Sequence, residues 1–448
     1  MIIWGVIRLS KPVHENHRYV KSAWKGLTGL VVALALPGLA RAEIVAPTHS
    51  EALLGAAPDG SPRVAYTSGR DVVVGRRTAA GWKFARAGKV PGTSPVLAGL
   101  VVDGRGRTSL LVEARNGSWL ALASRGRKLR VVARPRKGAS FGPAGLTLDA
   151  RGRPAFAYAL RLRSTKTWLR LVTTDARGRL HTHGITKGGF PSSAFVPGAA
   201  PVLVRGRLHV VEAYTDAAID WGPKAGGGWE GQFLFASRDG TPSGRVAATA
   251  SSSGLWSAWT EMTAETLGVL LNLSAETQST ATALEHGIFV SLLVDHGNAQ
   301  VGAYDWALLG DTPVYAGVLA DANGPFAELD GRLDGYLRTR DGRYQVLLST
   351  PSGLEWFESP TRPSIGVSIA ADASGLVQGH VEGASGGGVQ IYRETATGRT
   401  AVGVAELAGD GTFTFQDTAP TSPTLYRAVY VNAATSIPFA ALLRTPVG

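Results

Sequence analysis

Residues 146–158 read LTLDARGRPAFAY: a short strand, a tight polar turn, then a second strand of small and aromatic residues. The string recurs as DGSPRVAY at 59–66, VVDGRGRTSLLVEA at 101–114 and VLVRGRLHVVEAY at 202–214. With Asp59, Asp103, Asp149 and Val204 as markers, the spacings are 44, 46 and 55 residues. A unit of that length with four short strands is the size of one β-propeller blade. In the D-x-x-G turn the Asp carboxylate caps the turn and Gly supplies the left-handed backbone, so the motif is structural.

The units are predicted at about 50–92, 94–138, 141–189 and 194–250. The fourth carries DAAIDWGPKAGGGWEGQ, which reads as an inserted loop, and loops on a rigid scaffold are where binding residues gather. Beyond it the repeat decays, but LWSAWTEM, LGVLLNLSA, GIFVSLLVD, AQVGAYDWALL and PVYAGVLAD still read as strands. The stretch 263–283 is the one place where a helix competes. Dividing 43–360 by about 45 residues per blade predicts six or seven blades. Residues 43–49 are short and suited to pair with a distant strand, closing the ring. At Ser359-Pro360-Thr361-Arg362-Pro363 the register stops. Seven short strands follow in 364–448, the count of a β-sandwich. The expected fold class is therefore all-β: a six- or seven-bladed β-propeller over 43–360, then an immunoglobulin-like β-sandwich over 364–448.

Residues 1–42 read as a signal peptide. Lys21 and Lys25 flank an apolar run at 27–36, about half of the ~20 residues that span a bilayer. Pro37-Gly38 and Ala40-Arg41-Ala42 follow, and cleavage is expected after Ala42; Val20 is an alternative start. No later segment reads as a membrane span. The expected location is extracellular or at the cell surface. With no Cys in 448 residues, disulfide scaffolds, zinc ribbons and thiol nucleophiles are excluded.

Charge is lopsided. Residues 43–189 hold 26 Arg and Lys against 8 Asp and Glu, whereas 190–448 hold 14 against 25. A basic half attracts polyanions, although many of these Arg sit in G-R-G-R and A-R-G-R turns where water solvates them.

Three carboxylates, Asp216, Asp220 and Glu230, lie near Trp221 and Trp229 in the fourth unit. An acid, a base or nucleophile, and rings to stack on pyranose faces are what a sugar-cleaving or sugar-binding cleft needs. Glu261, between Trp259 and Met262, is a weaker addition. His181 and His183 share a strand face, and with His209 they form a thin metal candidate, so no metal and no cofactor is expected. The G-A-S-G-G string around Ser385 matches G-x-S-x-G but lies between strands, not at the strand–helix turn a nucleophile needs. Trp82, Trp119 and Trp168 fall at comparable places in units one to three and read as packing residues.

The 43–360 region resembles exported bacterial proteins built from D-x-x-G-R-P-x-x-A-Y blades. The C-terminal part resembles immunoglobulin-like domains appended to secreted bacterial proteins, through D-G-T-F-T-F at 410–415 and T-L-Y-R-A-V-Y at 424–430, with Tyr426 suited to a tyrosine corner. Both resemblances imply a fold and a compartment, not a reaction. The first functional expectation is non-catalytic binding of a glycan, an acidic polymer or a protein through the propeller face; nucleic acid is not expected. The second is a glycoside hydrolase or lyase using the carboxylates above. The third is a structural role in a surface layer or appendage.

Overall fold

The computed structural model describes residues 43–447 except 48, 93–94, 163–166, 187–197, 214–216, 237–240, 253, 263–266, 275–278, 285–286, 310, 385, 396–397, 421–422 and 434–435. The leader 1–42 and Asp216 thus lie outside the described residues. Every regular element among the described residues is a β-strand. No helix among them is long and apolar enough to cross a membrane.

Residues 52–89, 95–133, 140–184, 198–236 and 241–284 each form one antiparallel meander. In the third, Ser140–Phe141 and Gly145–Leu148 share the first strand position. Residues 288–329 form a sixth meander. The seventh takes three strands from 332–359 and its fourth, Glu43–Ala46, from the far end of the described chain. Glu43 pairs with Trp356 and Ile44 with Glu355, the distant pairing expected of this segment. Arg77 of the first meander locks the junction. Its Nη2 lies 2.7 Å from Glu43 Oε1, and its guanidinium sits over the Trp356 ring at 4.9 Å.

The first strand of each meander touches the first strand of the next, and that of the seventh touches that of the first. Two glycines permit the approach. A Cβ on Gly145 would stand 2.7 Å from the Ala199 carbonyl, and one on Gly335 would stand 2.5 Å from Leu54 Cβ.

Successive side chains on a strand point to opposite faces, so a sheet stacked between two neighbours needs apolar residues on both. Leu110 and Val112 join the core shared with the first meander, while Leu111 between them joins the core shared with the third. In the string PAFAY, Phe156 and Tyr158 pack toward the second meander, and Ala155 and Ala157 pack toward the fourth. The near-continuous apolar runs are thus two half-patterns interleaved. Leu111→Ala would remove a fully buried side chain, at a cost of about 2–5 kcal/mol.

The Asp turns have one local geometry. Asp103, Asp149 and Asp175 each accept the backbone N–H groups two and four residues on, and the Arg four residues on folds back onto the same carboxylate. Gly106, Gly152 and Gly178 take the left-handed position, with φ of 73°, 66° and 80°. This is a three-residue hairpin closed by a G1 bulge. Burial raises the Asp103 carboxyl, but Arg107 and two backbone donors outweigh it and hold it below its ordinary value. The first marker sits differently. The equivalent turn there runs from Ala57 to Ser61, so Asp59 occupies its third position rather than its first.

The fourth unit ends earlier than expected. The supposed insertion is the third and fourth strands of its meander, Ala217–Pro223 and Trp229–Ala236, around a glycine turn. The alternation IDWGP/WEGQF is strand-like, and Gly227 and Gly228 supply the φ > 0 positions. Likewise, the described parts of 263–283 are strands, Leu267–Ser274 and Ser279–Leu284. Two paired strands bury Val269 and Leu270 on opposite faces, which a helix would not.

The C-terminal strands form a three-stranded sheet, Val367–Ala371, Leu376–Val381 and Thr412–Gln416, and a four-stranded one ordered 398–406, 388–395, 425–431, 438–442. Val377, Ile391, Phe413 and Tyr426 lie in the core between them. Tyr426 donates to Asp417 Oδ2 at 2.7 Å, a side-chain acceptor, and Arg393 holds the same carboxylate. The four-stranded sheet is continuous with the sixth meander through the pair Leu329–Phe439. At that seam Arg427, only 1% exposed, pairs with Glu394 at 2.7 Å and Asp330 at 3.3 Å, and donates to the Tyr315 carbonyl.

Candidate functional site

Asp220 lies in mid-strand, with both carboxylate oxygens 3.1 Å from His209 Nδ1. Its cross-strand partner is Gln232, and Glu230 pairs with Gly222, so Asp220 and Glu230 share one face of the hairpin. Trp221 and Trp229 share the other face and pack against the core between the third and fourth meanders. Trp221 Nε1 donates to Glu212 Oε2 at 3.1 Å. The two acids and the two rings therefore do not line one cleft. Glu261 lies on the second strand of the fifth meander. His181 contacts Asp175 and His183 contacts Thr173. Among the described residues, no group of three or more His, Asp or Glu is placed to hold a metal ion. Ser385 lies outside the described residues. Trp119 is buried, Trp82 stacks on Phe84 and meets Trp356 edge-on, and Trp168 lies under Arg170.

A different set of residues converges. A cavity of about 530 Å³ is lined by Glu51, Glu113, Arg115, Arg245, Tyr304, Tyr315, Arg332 and Asp334, with contributions from the first, second, fifth, sixth and seventh meanders. Glu51 Oε2 accepts the Leu97 N–H at 3.0 Å, and its Oε1 lies 3.1 Å from Arg115 Nη2; Arg245 stands 3.8 Å away. Glu113 Oε2 accepts the Ala144 N–H at 2.9 Å. Burial pushes the Glu113 carboxyl up to about 7; Arg245 and the Ala144 N–H oppose the shift, and the charge of Glu51 adds to it. Arg332 Nη2 donates to Asp334 Oδ1 at 2.8 Å, and Ser349 Oγ holds the other Asp334 oxygen. His49 joins that cluster through Ser349, at 2.6 Å. Tyr304 and Tyr315 meet edge-to-face, with centroids 5.7 Å apart, and the Arg332 guanidinium lies 6.0 Å above the Tyr304 ring.

Two of the carboxylates also bridge meanders. A β-bulge beside Leu97 breaks the strand ladder, and Glu51 takes that N–H across the sheet boundary; Glu113 does the same one boundary on, for Ala144. Thr260 Oγ1 repeats the device for the Phe289 N–H. None of these site residues stood out in the sequence. One signal was available. Glu113 and Glu212 are the penultimate residues of the matching strings SLLVEA and LHVVEA, and a charge inside an apolar strand requires a buried partner.

The lining holds three arginines and three carboxylates, one of them close to half-protonated at neutral pH. Its net charge is near zero while its hydrogen-bonding capacity is high. Such a site does not select for ionic charge; it offers planar donors and acceptors and two aromatic faces.

No family model matches the chain, and no curated protein matches it. Among solved structures, a protein of unknown function from Dyadobacter fermentans is 12% identical, covering 64% of this chain and all of its own, with a TM-score of 0.43. AofleA from Arthrobotrys oligospora is 12% identical over 63% of this chain and 86% of its own, with a TM-score of 0.40. A structure of the GH130 family, which groups mannoside phosphorylases with glycoside hydrolases that target β-1,2-mannosidic linkages, is 10% identical over 72% of this chain and 88% of its own, with a TM-score of 0.32.

Proposed function

We propose that this chain is an exported, non-catalytic binding protein whose cavity takes a neutral, hydroxyl-rich ligand: a sugar ring or the end of a glycan. The observation that carries the reading is the charge-balanced lining, in which Glu51, Asp334 and Arg332 are already neutralised by partners yet face a polar cavity with Tyr304 and Tyr315. A hydroxyl both donates and accepts, so it suits fixed ion pairs better than a charged group does. Aromatic faces complement the C–H faces of a pyranose. In this reading the seven meanders are the blades of one propeller, supported by the cyclic contact of their first strands. Residues 364–448 are an immunoglobulin-like sandwich, supported by the two-sheet order and by buried Tyr426. Export to the cell surface rests on the leader read in 1–42.

The test is calorimetric titration with neutral mono- and oligosaccharides. Tyr304→Ala and Arg332→Lys are expected to weaken binding about tenfold or more by removing a ring face and a planar fork. No neutral saccharide binding at millimolar concentration would end the reading.

One observation favours hydrolysis as a second reading. A carboxyl held at about 7 is half-protonated at neutral pH and suits a proton donor to a glycosidic oxygen. Glu113→Gln would then abolish turnover of a bound oligosaccharide while leaving its affinity intact; in the binding reading no turnover occurs in either form.

A further inference from the structure

A second concave site lies apart from the cavity. A groove of about 390 Å³ runs between the outer strands of the first meander and the turns of the second. Eight cationic side chains line it: Arg63, Arg76, Lys83, Arg86, Arg107, Arg125, Arg127 and Lys128. No carboxylate is among its lining residues. Asp71 holds Arg86, and Asp103 holds Arg107 and approaches Arg125 at 4.0 Å from outside the lining. The other five have no ion pair among the described residues. Arg63 is the unusual one. It is 9% exposed, yet its Nη1 donates only to neutral oxygens, Ser61 Oγ at 2.8 Å and the Pro62 carbonyl at 3.1 Å. A nearly buried guanidinium with no carboxylate in ion-pair contact, desolvated and beside Arg76, with only the more distant charge of Asp59 in its favour, is a position that a bound anion would stabilise.

We propose that this groove holds a stretch of acidic polysaccharide, a sugar polymer bearing sulfate, phosphate or carboxylate groups. The arginine forks match such oxyanions geometrically, and several cations in one channel fit a polymer better than a single ion. The aromatic inventory selects sugar over nucleobase. Phe84, 43% exposed, is the one aromatic side chain in the groove. One side of it is taken by Gly75, where a Cβ would stand 2.6 Å from the ring, and by Trp82, stacked at 6.1 Å. Single-stranded nucleic acid is held by successive rings on which successive bases stack, and this groove has no such series.

The experiment measures binding of the purified protein to dextran sulfate, neutral dextran and oligothymidylate across a salt series. Two triple charge reversals with equal change in net charge are compared. Arg76→Glu, Lys83→Glu and Lys128→Glu lie in the groove; Arg151→Glu, Arg177→Glu and Arg205→Glu lie on exposed turns outside it. The expected result is dextran sulfate bound in preference to the other two, on the order of a hundredfold weaker in the groove triple, with a shallower salt slope, and within about threefold of the parent in the turn triple. Equal losses in both triples would overturn the proposal in favour of a diffuse electrostatic surface. Oligothymidylate bound as tightly as dextran sulfate would overturn the polysaccharide assignment. Where the reversals lower the melting temperature, the Gln versions of the groove residues replace them, with a loss of about tenfold expected from three missing phosphate- or sulfate-type contacts.

Discussion

The cavity and the groove are both rich in arginine, and they treat it in opposite ways. In the cavity each arginine has a carboxylate beside it, and two of the three carboxylates also hold backbone N–H groups of the next sheet. In the groove no carboxylate is among the lining residues, and five of the eight cations have no ion pair among the described residues. The first arrangement is self-sufficient: it stabilises the fold and leaves a neutral, hydrogen-bonding surface. The second is electrostatically incomplete and is relieved by something negative from outside. A pair of charges removed from water must be matched within the fold, whereas charges at a solvated rim are screened and can wait for a ligand.

Three sets of substitutions test this contrast. The largest effect is expected from Asp334→Ala, which strands the Arg332 guanidinium in a largely buried site. Urea denaturation should show a loss of about 3–5 kcal/mol; a loss below about 1 kcal/mol would mean that the cavity charges are as dispensable as surface ones.

Glu113→Gln comes next. The carboxyl is raised in the folded state from 4.5 to about 7, so between those values the folded protein binds more protons than the unfolded chain. Its contribution is fully present below pH 4.5, falls as pH rises toward 7, and is constant above. The parent should therefore lose about 3 kcal/mol across that window through this group. Gln keeps an acceptor for the Ala144 N–H and has no proton to lose, so stability of the variant, followed by denaturant titration at pH 5 and pH 8, should lack this component. Identical pH dependence in both forms would remove Glu113 from the buried, charge-balanced set.

The smallest effect belongs to the groove. Arg76→Ala with Lys83→Ala relieves like-charge repulsion at exposed positions and should change stability by no more than about 0.5 kcal/mol, toward greater stability. The same pair should erode binding of dextran sulfate while leaving neutral-sugar binding unchanged. A large destabilisation would mean that the groove cations are structural after all.

Parts of this molecule are legible residue by residue. The D-x-x-G-R turns are readable because Asp103 and Asp149 satisfy donors two and four residues away, and no distant partner is needed. The alternation in PAFAY and SLLVEA is readable because a strand shows opposite faces to its two neighbours. The surplus of Arg and Lys in 43–189 already marks the basic half that contains the groove. The hairpin carrying Asp220, Trp221, Trp229 and Glu230 was harder. Its residues are close in sequence, but strand geometry sends acids and rings to opposite faces, and its glycines suggested a loop where they make a turn.

Local features follow from the residues alone: how the Asp turns are capped, the two-faced alternation of the strands beside them, and the basic character of one half of the chain. Which charges meet follows from the stacking of the sheets. Glu113, Arg245 and Asp334 belong to three different meanders, Glu51 directly precedes a fourth, and His49 reaches Ser349 across 300 positions of the chain. The reason is physical. Backbone hydrogen bonding and period-two alternation act within a few residues, whereas the direction in which a strand end points its side chains depends on how the sheets stack, and that is fixed by apolar cores contributed by both neighbours.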